Sequence, residues 1–101
     1  MVHVNINSDA IKSFCQRHHI SRLAFFGSVL RDDFNKDSDI DVLVDFEDGH
    51  VPGFFGLFGM EDELSVMLGG KKVDLKTPQD LSRYFRDEVL NTMDVEYEAR
   101  R

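Results

Sequence analysis

A pair of aspartates at the start of an apolar strand constrains this chain more than any other feature. Asp39 and Asp41 flank Ile40, and the apolar run then continues from Val42 to Val44. Successive side chains of a strand point to opposite faces, so both carboxylates share one face, about 7 Å apart, while Ile40 and Val42 can enter a core. Magnesium prefers oxygen ligands and often takes one or two carboxylates plus substrate phosphates. The pair therefore predicts a divalent-metal site.

A glycine–serine pair precedes the aspartates. The apolar run Leu23 to Phe26 predicts a strand, and Gly27 and Ser28 follow it where the strand gives way to a single helical turn. The start of a helix directs unpaired backbone N–H groups outward, and its dipole adds positive potential. Gly27 permits close approach of a ligand to the main chain, and the Ser28 hydroxyl can donate to a phosphate oxygen. Together with the metal site, this turn predicts binding of a nucleoside triphosphate.

A third acid, Asp74, lies in a later short strand. Its neighbours Val73 and Leu75 point to one face of that strand, and Asp74 points to the other. The residues alone leave two interpretations open. Either Asp74 lies on an exposed strand face, or the strand lies next to that of Asp39 and Asp41 and completes a trio of carboxylates.

Helical and extended segments alternate along the chain. Apolar residues at helical spacing predict helices near residues 8–18 and 54–68, with a C-terminal helix or two after Thr77-Pro78. Strands are predicted at residues 23–26, 40–46, 71–75 and 95–97. The fold class is α/β (α+β), a small mixed β-sheet with helices packed on it. The predicted helix at 54–68 carries more phenylalanines than one narrow apolar face can bury: Phe54, Phe55 and Phe58. Two interpretations stay open for these side chains, packing in the core or forming a partner-binding patch.

Composition excludes several classes of protein. The 101 residues correspond to a single domain, 1–101, with one modest core. A formal net charge of −7 disfavours a nucleic-acid-binding surface, which needs clustered Lys and Arg. The single cysteine, Cys15, excludes an internal disulfide framework, lies on the core face of its helix and suits a reducing cytoplasm. We find neither a signal peptide nor an apolar run of membrane length, so no membrane contact is expected.

The spacing of these motifs resembles the nucleotidyltransferase superfamily that includes DNA polymerase beta. Gly27-Ser28 is followed by ten residues, then by Asp39-x-Asp41 and a later Asp74 in a strand. Within the superfamily the chain is similar to the minimal nucleotidyltransferases, the MNT antitoxins paired with HEPN-domain toxins. The likeness covers residues 9–98 and includes Phe-Gly-Ser-Val-Leu-Arg, Asp-Ser-Asp-Ile-Asp-Val-Leu-Val and Lys-Lys-Val-Asp-Leu-Lys-Thr-Pro. One departure is Asp32, where many relatives carry glycine; it removes no ligand.

The resemblance implies a polymerase beta-like fold and assigns roles to the predicted site. Asp39 and Asp41 would hold two magnesium ions that bridge the triphosphate of ATP. Gly27 and Ser28 would cradle its distal phosphates. Asp74 would bind the metal on the nucleophile side and help to deprotonate the incoming hydroxyl.

Two further residues are secondary candidates for phosphate contacts. Arg31 and Ser38 lie between the glycine–serine pair and the aspartates. For Arg31 a salt bridge to a neighbouring acid is an open alternative.

The resemblance also implies an acceptor, which the residues themselves do not indicate. AMP from ATP would be attached to a tyrosine of a partner HEPN ribonuclease, so that the chain acts as an antitoxin. Two alternatives remain: an antitoxin that neutralises its toxin by binding without catalysis, and a subunit that modifies a small molecule such as an aminoglycoside. The presence of all three aspartates favours an active enzyme, because a pure binder has no physical need for clustered acids.

Overall fold

Four strands form one mixed sheet in the order β3-β2-β1-β4, as seen in a computed structural model that describes residues 6–32, 34–35 and 37–99, apart from the side chains of Phe54 and Phe55. β2 pairs in parallel with β3, and β1 pairs antiparallel with both β2 and β4. The predicted small mixed sheet with packed helices is confirmed. In chain order the elements are α1 (Ser8–Arg17), β1 (Ile20–Phe26), a 3₁₀ helix (Gly27–Leu30), β2 (Ile40–Phe46), α2 (Phe54–Met67), β3 (Val73–Lys76), a second 3₁₀ helix (Pro78–Asp80), α3 (Arg83–Thr92) and β4 (Asp94–Glu98).

Local side-chain chemistry explains where α1 begins. The Asn7 side chain accepts a hydrogen bond from the Ala10 N–H at 3.1 Å, as expected of an N-cap. Asp9 in the first turn and Arg17 in the last complement the helix dipole. Asn7 is therefore the N-cap of α1.

The segment after Thr77 differs from the helix predicted to begin there. Thr77 and Asp80 form a capping box, but only the 3₁₀ helix Pro78–Asp80 follows. Leu81 is then extended and buried, and α3 begins after Ser82, whose side chain accepts from the Phe85 N–H. The core thus interrupts a helix that the local motif favours, because burying Leu81 requires an extended backbone at that point.

The two faces of the sheet carry different cores. α1 and α2 cover one face with the larger cluster, which includes Phe14, Leu23, Val42 and Leu64. α3 covers the other face with a smaller cluster: Phe26, Leu43, Leu81 and Val89. Side chains alternate along β2, so Ile40, Val42 and Val44 enter the first core and leave Asp39, Asp41 and Leu43 for the second face.

Two other predictions concern single side chains. Cys15 is fully buried in the larger core, and burial raises the pKa of its thiol to about 12, so this cysteine has little thiolate character. Phe58 on α2 is half exposed, while the side chains of Phe54 and Phe55 lie outside the described part of the structure. In the described part of the chain, every helix is too short or too polar to cross a membrane.

Candidate active site

The register of the sheet brings the three predicted acids to one place. β2 and β3 run parallel with Asp41 directly beside Asp74, and both side chains lie on the face that α3 covers. Asp39 lies one residue before β2 and shares the face of Asp41. On the other side of Asp41, the antiparallel register pairs it with Phe26, the last residue of β1. The chain therefore enters Gly27 beside the carboxylate of Asp41.

Gly27 and Asp41 are in close contact. The backbone of Gly27 has a φ of +75°, a region that residues with a side chain rarely adopt. A Cβ added there would lie 2.5 Å from Oδ2 of Asp41. Both the conformation and the space therefore require glycine, and the missing side chain lets the carboxylate pack against the main chain of the turn.

The carboxyl of Asp41 has an unusual electrostatic environment. Its pKa is raised, first by burial and then by the negative charges of Asp74 and Asp39, while the cations of Lys76 and Arg31 partly offset the shift. The side chains of Asp39 and Asp74 remain 50% and 42% exposed, so a ligand can reach them. Such a concentration of negative charge, with one member half-buried, is typical of functional sites.

Two lysines that lie outside the sequence motifs assigned a role, Lys72 and Lys76, face these acids. Lys72 Nζ lies 4.0 Å from Asp39 Oδ2, and Lys76 Nζ lies 3.6 Å from Asp74 Oδ1. Both follow from the alternation Lys72-x-Asp74-x-Lys76, which places the three side chains on one face of the strand. Exposed ion pairs of this kind contribute about 1 kcal/mol or less. A cation or a phosphate can therefore displace them at little cost.

Three other predicted residues have distinct positions. Ser28 Oγ donates to the main-chain oxygen of Asp39 at 3.1 Å, so its hydroxyl connects the turn to the start of β2 in this structure. Ser38 Oγ accepts from the Asn35 N–H at 3.3 Å and stabilises the loop before β2. Arg31 is exposed and close enough to lower the pKa of the Asp41 carboxyl. The turn after β1 is a four-residue 3₁₀ helix, so it has little dipole of its own.

A cavity of about 640 Å³ lies between this turn and α3. Gly27, Leu30, Arg31 and Asp41 line one side of it together with Phe26, and α3 supplies the other side with Phe85, Glu88, Val89 and Thr92. The sequence alone does not place this α3 wall at the site. A signal existed, since the four positions follow the i, i+3, i+4, i+7 spacing of one helix face. Nothing in the sequence indicated that this face lies opposite Asp41.

The donor chemistry of the site fits magnesium. Carboxylate oxygens are the ligands that magnesium prefers, and a bound cation would stabilise the ionised form of Asp41, whose pKa is raised by burial and by the charges of Asp74 and Asp39. Among the described residues, no three Asp, Glu, His or Cys side chains are arranged to hold a metal ion by themselves. This agrees with magnesium sites that are completed by substrate phosphates rather than by an all-protein cage.

The chain is similar in sequence and in structure to known nucleotidyltransferases. The family model described as "Nucleotidyltransferase domain" matches residues 8–98. Protein adenylyltransferase MntA of Thermococcus cleftensis is 33% identical over 79 residues, which cover 78% of this chain and 77% of MntA. A solved chain, provisionally described as a minimal nucleotidyltransferase, matches with a TM-score of 0.70 and 34% identity over 85% of each chain. A chain of a toxin–antitoxin crystal structure with AMP-PNP matches with a TM-score of 0.74 over 94% of this chain and 76% of that one; at 18% identity it shows the shared fold alone.

Proposed function

The chain belongs to the nucleotidyltransferase domain family, and we propose that it transfers AMP from ATP to a hydroxyl group of a partner protein. One observation carries most weight: the carboxylate of Asp41 lies between the main chain of Gly27 and the carboxylate of Asp74, beside a cavity that can admit a nucleotide. The relative named protein adenylyltransferase supports the reaction class.

Each residue of the site has a proposed task in this reaction. Asp39, Asp41 and Asp74 would hold two magnesium ions, and bound magnesium neutralises negative charge on the phosphate oxygens. Gly27 lets the triphosphate approach the main chain, and Arg31 supplies positive charge on the same side of the cavity. The acceptor oxygen attacks the α-phosphorus, the bond from that phosphorus to the bridging oxygen breaks, and pyrophosphate leaves. Asp74, which lies beside Asp41 and is 42% exposed, accepts the proton of the acceptor hydroxyl.

Ser28 and Ser38 form hydrogen bonds that fix the loop before β2 and so position Asp39. Ser28 holds the main chain of Asp39, and Ser38 closes the turn that precedes it. We assign both to positioning Asp39 in the free protein, with direct phosphate contacts open to them once a nucleotide is bound.

The proposed acceptor is a tyrosine of a HEPN-type toxin, so that AMP transfer silences the toxin. Support comes from the relative named MntA and from the fold shared with a chain of a toxin–antitoxin complex crystallised with AMP-PNP. A reducing cytoplasm is the proposed compartment, which suits the free buried Cys15. The net charge of −7 makes nucleic acid an unfavourable partner.

Transfer of label from ATP tests this function. The protein is incubated with magnesium and a purified HEPN-type toxin, with ATP labelled on either the α- or the γ-phosphate. We expect the toxin to acquire α-label and no γ-label, and Asp39→Asn to reduce labelling by about 10³-fold because a metal-binding charge is lost. Asp45→Asn, on the strand that follows Asp39, is the control and should label the toxin normally, since Asp45 pairs with Arg22 away from the site.

Each other outcome identifies a different function. Label from the γ-phosphate would indicate phosphorylation. Neutralisation of the toxin by Asp39→Asn without any label would indicate an antitoxin that acts by binding alone. Label on an added aminoglycoside but not on the toxin would indicate a small-molecule-modifying subunit.

A further inference from the structure

We propose that α3 is the nucleoside-binding wall of the site, with the base stacked on Phe85 and its exocyclic amine donating a hydrogen bond to Glu88. This inference rests on the proposed nucleotidyl transfer and adds a basis for selecting ATP over nucleotides without an amine at that position. Its starting point is the cavity of about 640 Å³ that joins Asp41 to α3. Cavities of this size are typical of small-molecule sites.

Phe85 is accessible without being needed to fill the core. Val89, one turn later, is the buried anchor of the helix and packs with Phe26, Leu43 and Leu81. Phe85 lines the cavity and stays 45% exposed, although its ring meets that of Phe26 edge-on at 6.3 Å between centroids. This T-shaped contact still leaves nearly half of the Phe85 side chain exposed, so ring surface remains for a ligand. An accessible aromatic face beside a phosphate-binding turn is suited to stacking a base.

The polar groups of α3 that line the cavity are hydrogen-bond acceptors. Thr92 Oγ1 donates its only hydrogen to the main-chain oxygen of Glu88 at 2.8 Å, so it can only accept from a ligand. The ionised Glu88 side chain also accepts only. The opposite wall carries the guanidinium of Arg31, which only donates.

This division of donors and acceptors orients a nucleotide. The hydrogen-bond acceptors of α3 suit the part of the ligand that carries N–H donors. The opposite side of the cavity, with the guanidinium of Arg31, suits the phosphates. Adenine presents an amine at position 6, which can donate to the Glu88 carboxylate one helical turn from the stacking ring. Hypoxanthine has a carbonyl oxygen there, which a carboxylate repels. The cavity therefore favours ATP over ITP.

Calorimetric titration of the intact protein with ATP and with ITP, in excess magnesium and without partner, tests the proposal. The wild type should bind ATP about tenfold more tightly than ITP, because a hydrogen bond to a charged group is lost with ITP. Glu88→Gln should bring the two affinities within about threefold, since an amide can donate to the carbonyl of hypoxanthine. Phe85→Leu should weaken both nucleotides about tenfold, the usual effect of losing a stacking partner.

Neighbouring residues provide matched controls. Asp87→Asn and Tyr84→Leu change α3 at positions outside the cavity lining, where Tyr84 is 86% exposed, and both should bind ATP as the wild type does. Glu88 is exposed, so its variant tests the proposal even if Phe85→Leu unfolds the helix.

The outcomes separate this inference from the proposed function. A wild type that binds neither nucleotide would contradict both. A wild type that binds ATP, with an ATP-to-ITP ratio unchanged in Glu88→Gln or with normal ATP affinity in Phe85→Leu, would overturn the inference and leave the transfer reaction standing. An effect of Phe85→Leu on the KM for the acceptor protein alone would assign the cavity to the acceptor side chain and would also overturn it.

Discussion

Asp41→Asn is expected to abolish AMP transfer and at the same time to stabilise the metal-free protein. The carboxylate of Asp41 lies against Gly27 and beside Asp74, so no other described side chain can replace it as a ligand of the triphosphate-bound cation. We expect labelling of the partner to fall by at least about 10³-fold. Stability should rise because the charge that burial, Asp74 and Asp39 disfavour is gone.

The pH dependence of this stabilisation has a definite sign. The pKa of Asp41 is raised in the folded protein above its ordinary value of 3.8, so the folded state binds more protons between those two values. Wild-type stability therefore falls as the pH rises through the raised pKa, and this loss persists at neutral pH. Asp41→Asn has no carboxyl to ionise at this position, so its stability does not fall in this way. Its Tm should exceed that of the wild type at pH 7, and the difference should shrink as the pH falls toward 4.

Asp45→Asn, on the same strand and face, is the matched control for both effects. Asp45 accepts from Arg22 Nε at 2.9 Å, so its loss removes a favourable pair and should lower the Tm slightly without affecting transfer. Thermal unfolding in the presence of a chelator measures the difference. A lower Tm for Asp41→Asn at pH 7 would contradict the account of strain among the three acids.

Asp74→Asn is expected to abolish transfer while much of the affinity for ATP and magnesium remains. Asp74 lies on β3. The residues assigned to the triphosphate belong to other elements: Asp39 lies just before β2, Asp41 lies in β2, and Gly27 lies in the turn after β1. Loss of the base should reduce labelling by about 10²–10⁴-fold. Calorimetry should show ATP affinity within about threefold of the wild type, so the loss lies in kcat.

Nucleotide binding distinguishes the assigned role of Asp74 from a general disruption of the site. Lys76→Met is a useful comparison because the Lys76 ammonium lies 3.6 Å from Asp74 and would otherwise be left without that partner in Asp74→Asn. If Lys76→Met transfers AMP and Asp74→Asn does not, the carboxylate itself is required. Normal transfer by Asp74→Asn would show that its role is wrongly assigned.

The parts of the fold that depend on local patterns could be predicted from the sequence. The strand predicted at residues 40–46 is observed as Ile40–Phe46, because alternating apolar residues between polar loops leave little freedom. The cap at Asn7 follows from side-chain chemistry within one turn. The placement of Asp74 beside Asp41 was one of two open interpretations, and the parallel pairing of β2 with β3 supports the trio.

Features that depend on tertiary contacts could not be predicted. The capping box at Thr77 favours a helix, yet the buried Leu81 interrupts it, since the demand of the core exceeds the local preference. The cavity wall on α3 was missed for the same reason. The spacing from Phe85 to Thr92 shows a helix face but not what that face lies against.

The hydrogen-bond and ion-pair partners of individual side chains could not be predicted from the sequence either. Ser28 was predicted as a phosphate donor, and the structure shows its hydroxyl on the main chain of Asp39. Lys72 and Lys76 flank the acids because they share a strand face with Asp74. The sequence shows that these lysines alternate with Asp74 along one strand. It does not show which strand lies beside them, so their proximity to the other acids could not be inferred.

The position of the bound metal decides whether Asp39, Asp41 and the Gly27 turn form one metal–nucleotide site. Crystals grown with manganese and a non-hydrolysable ATP analogue give anomalous difference density that locates the cation. We expect a peak in contact with the carboxylates of Asp39 and Asp41, with the phosphates of the analogue against Gly27. A peak that touches neither aspartate, or phosphates bound away from the Gly27 turn, would contradict this expectation.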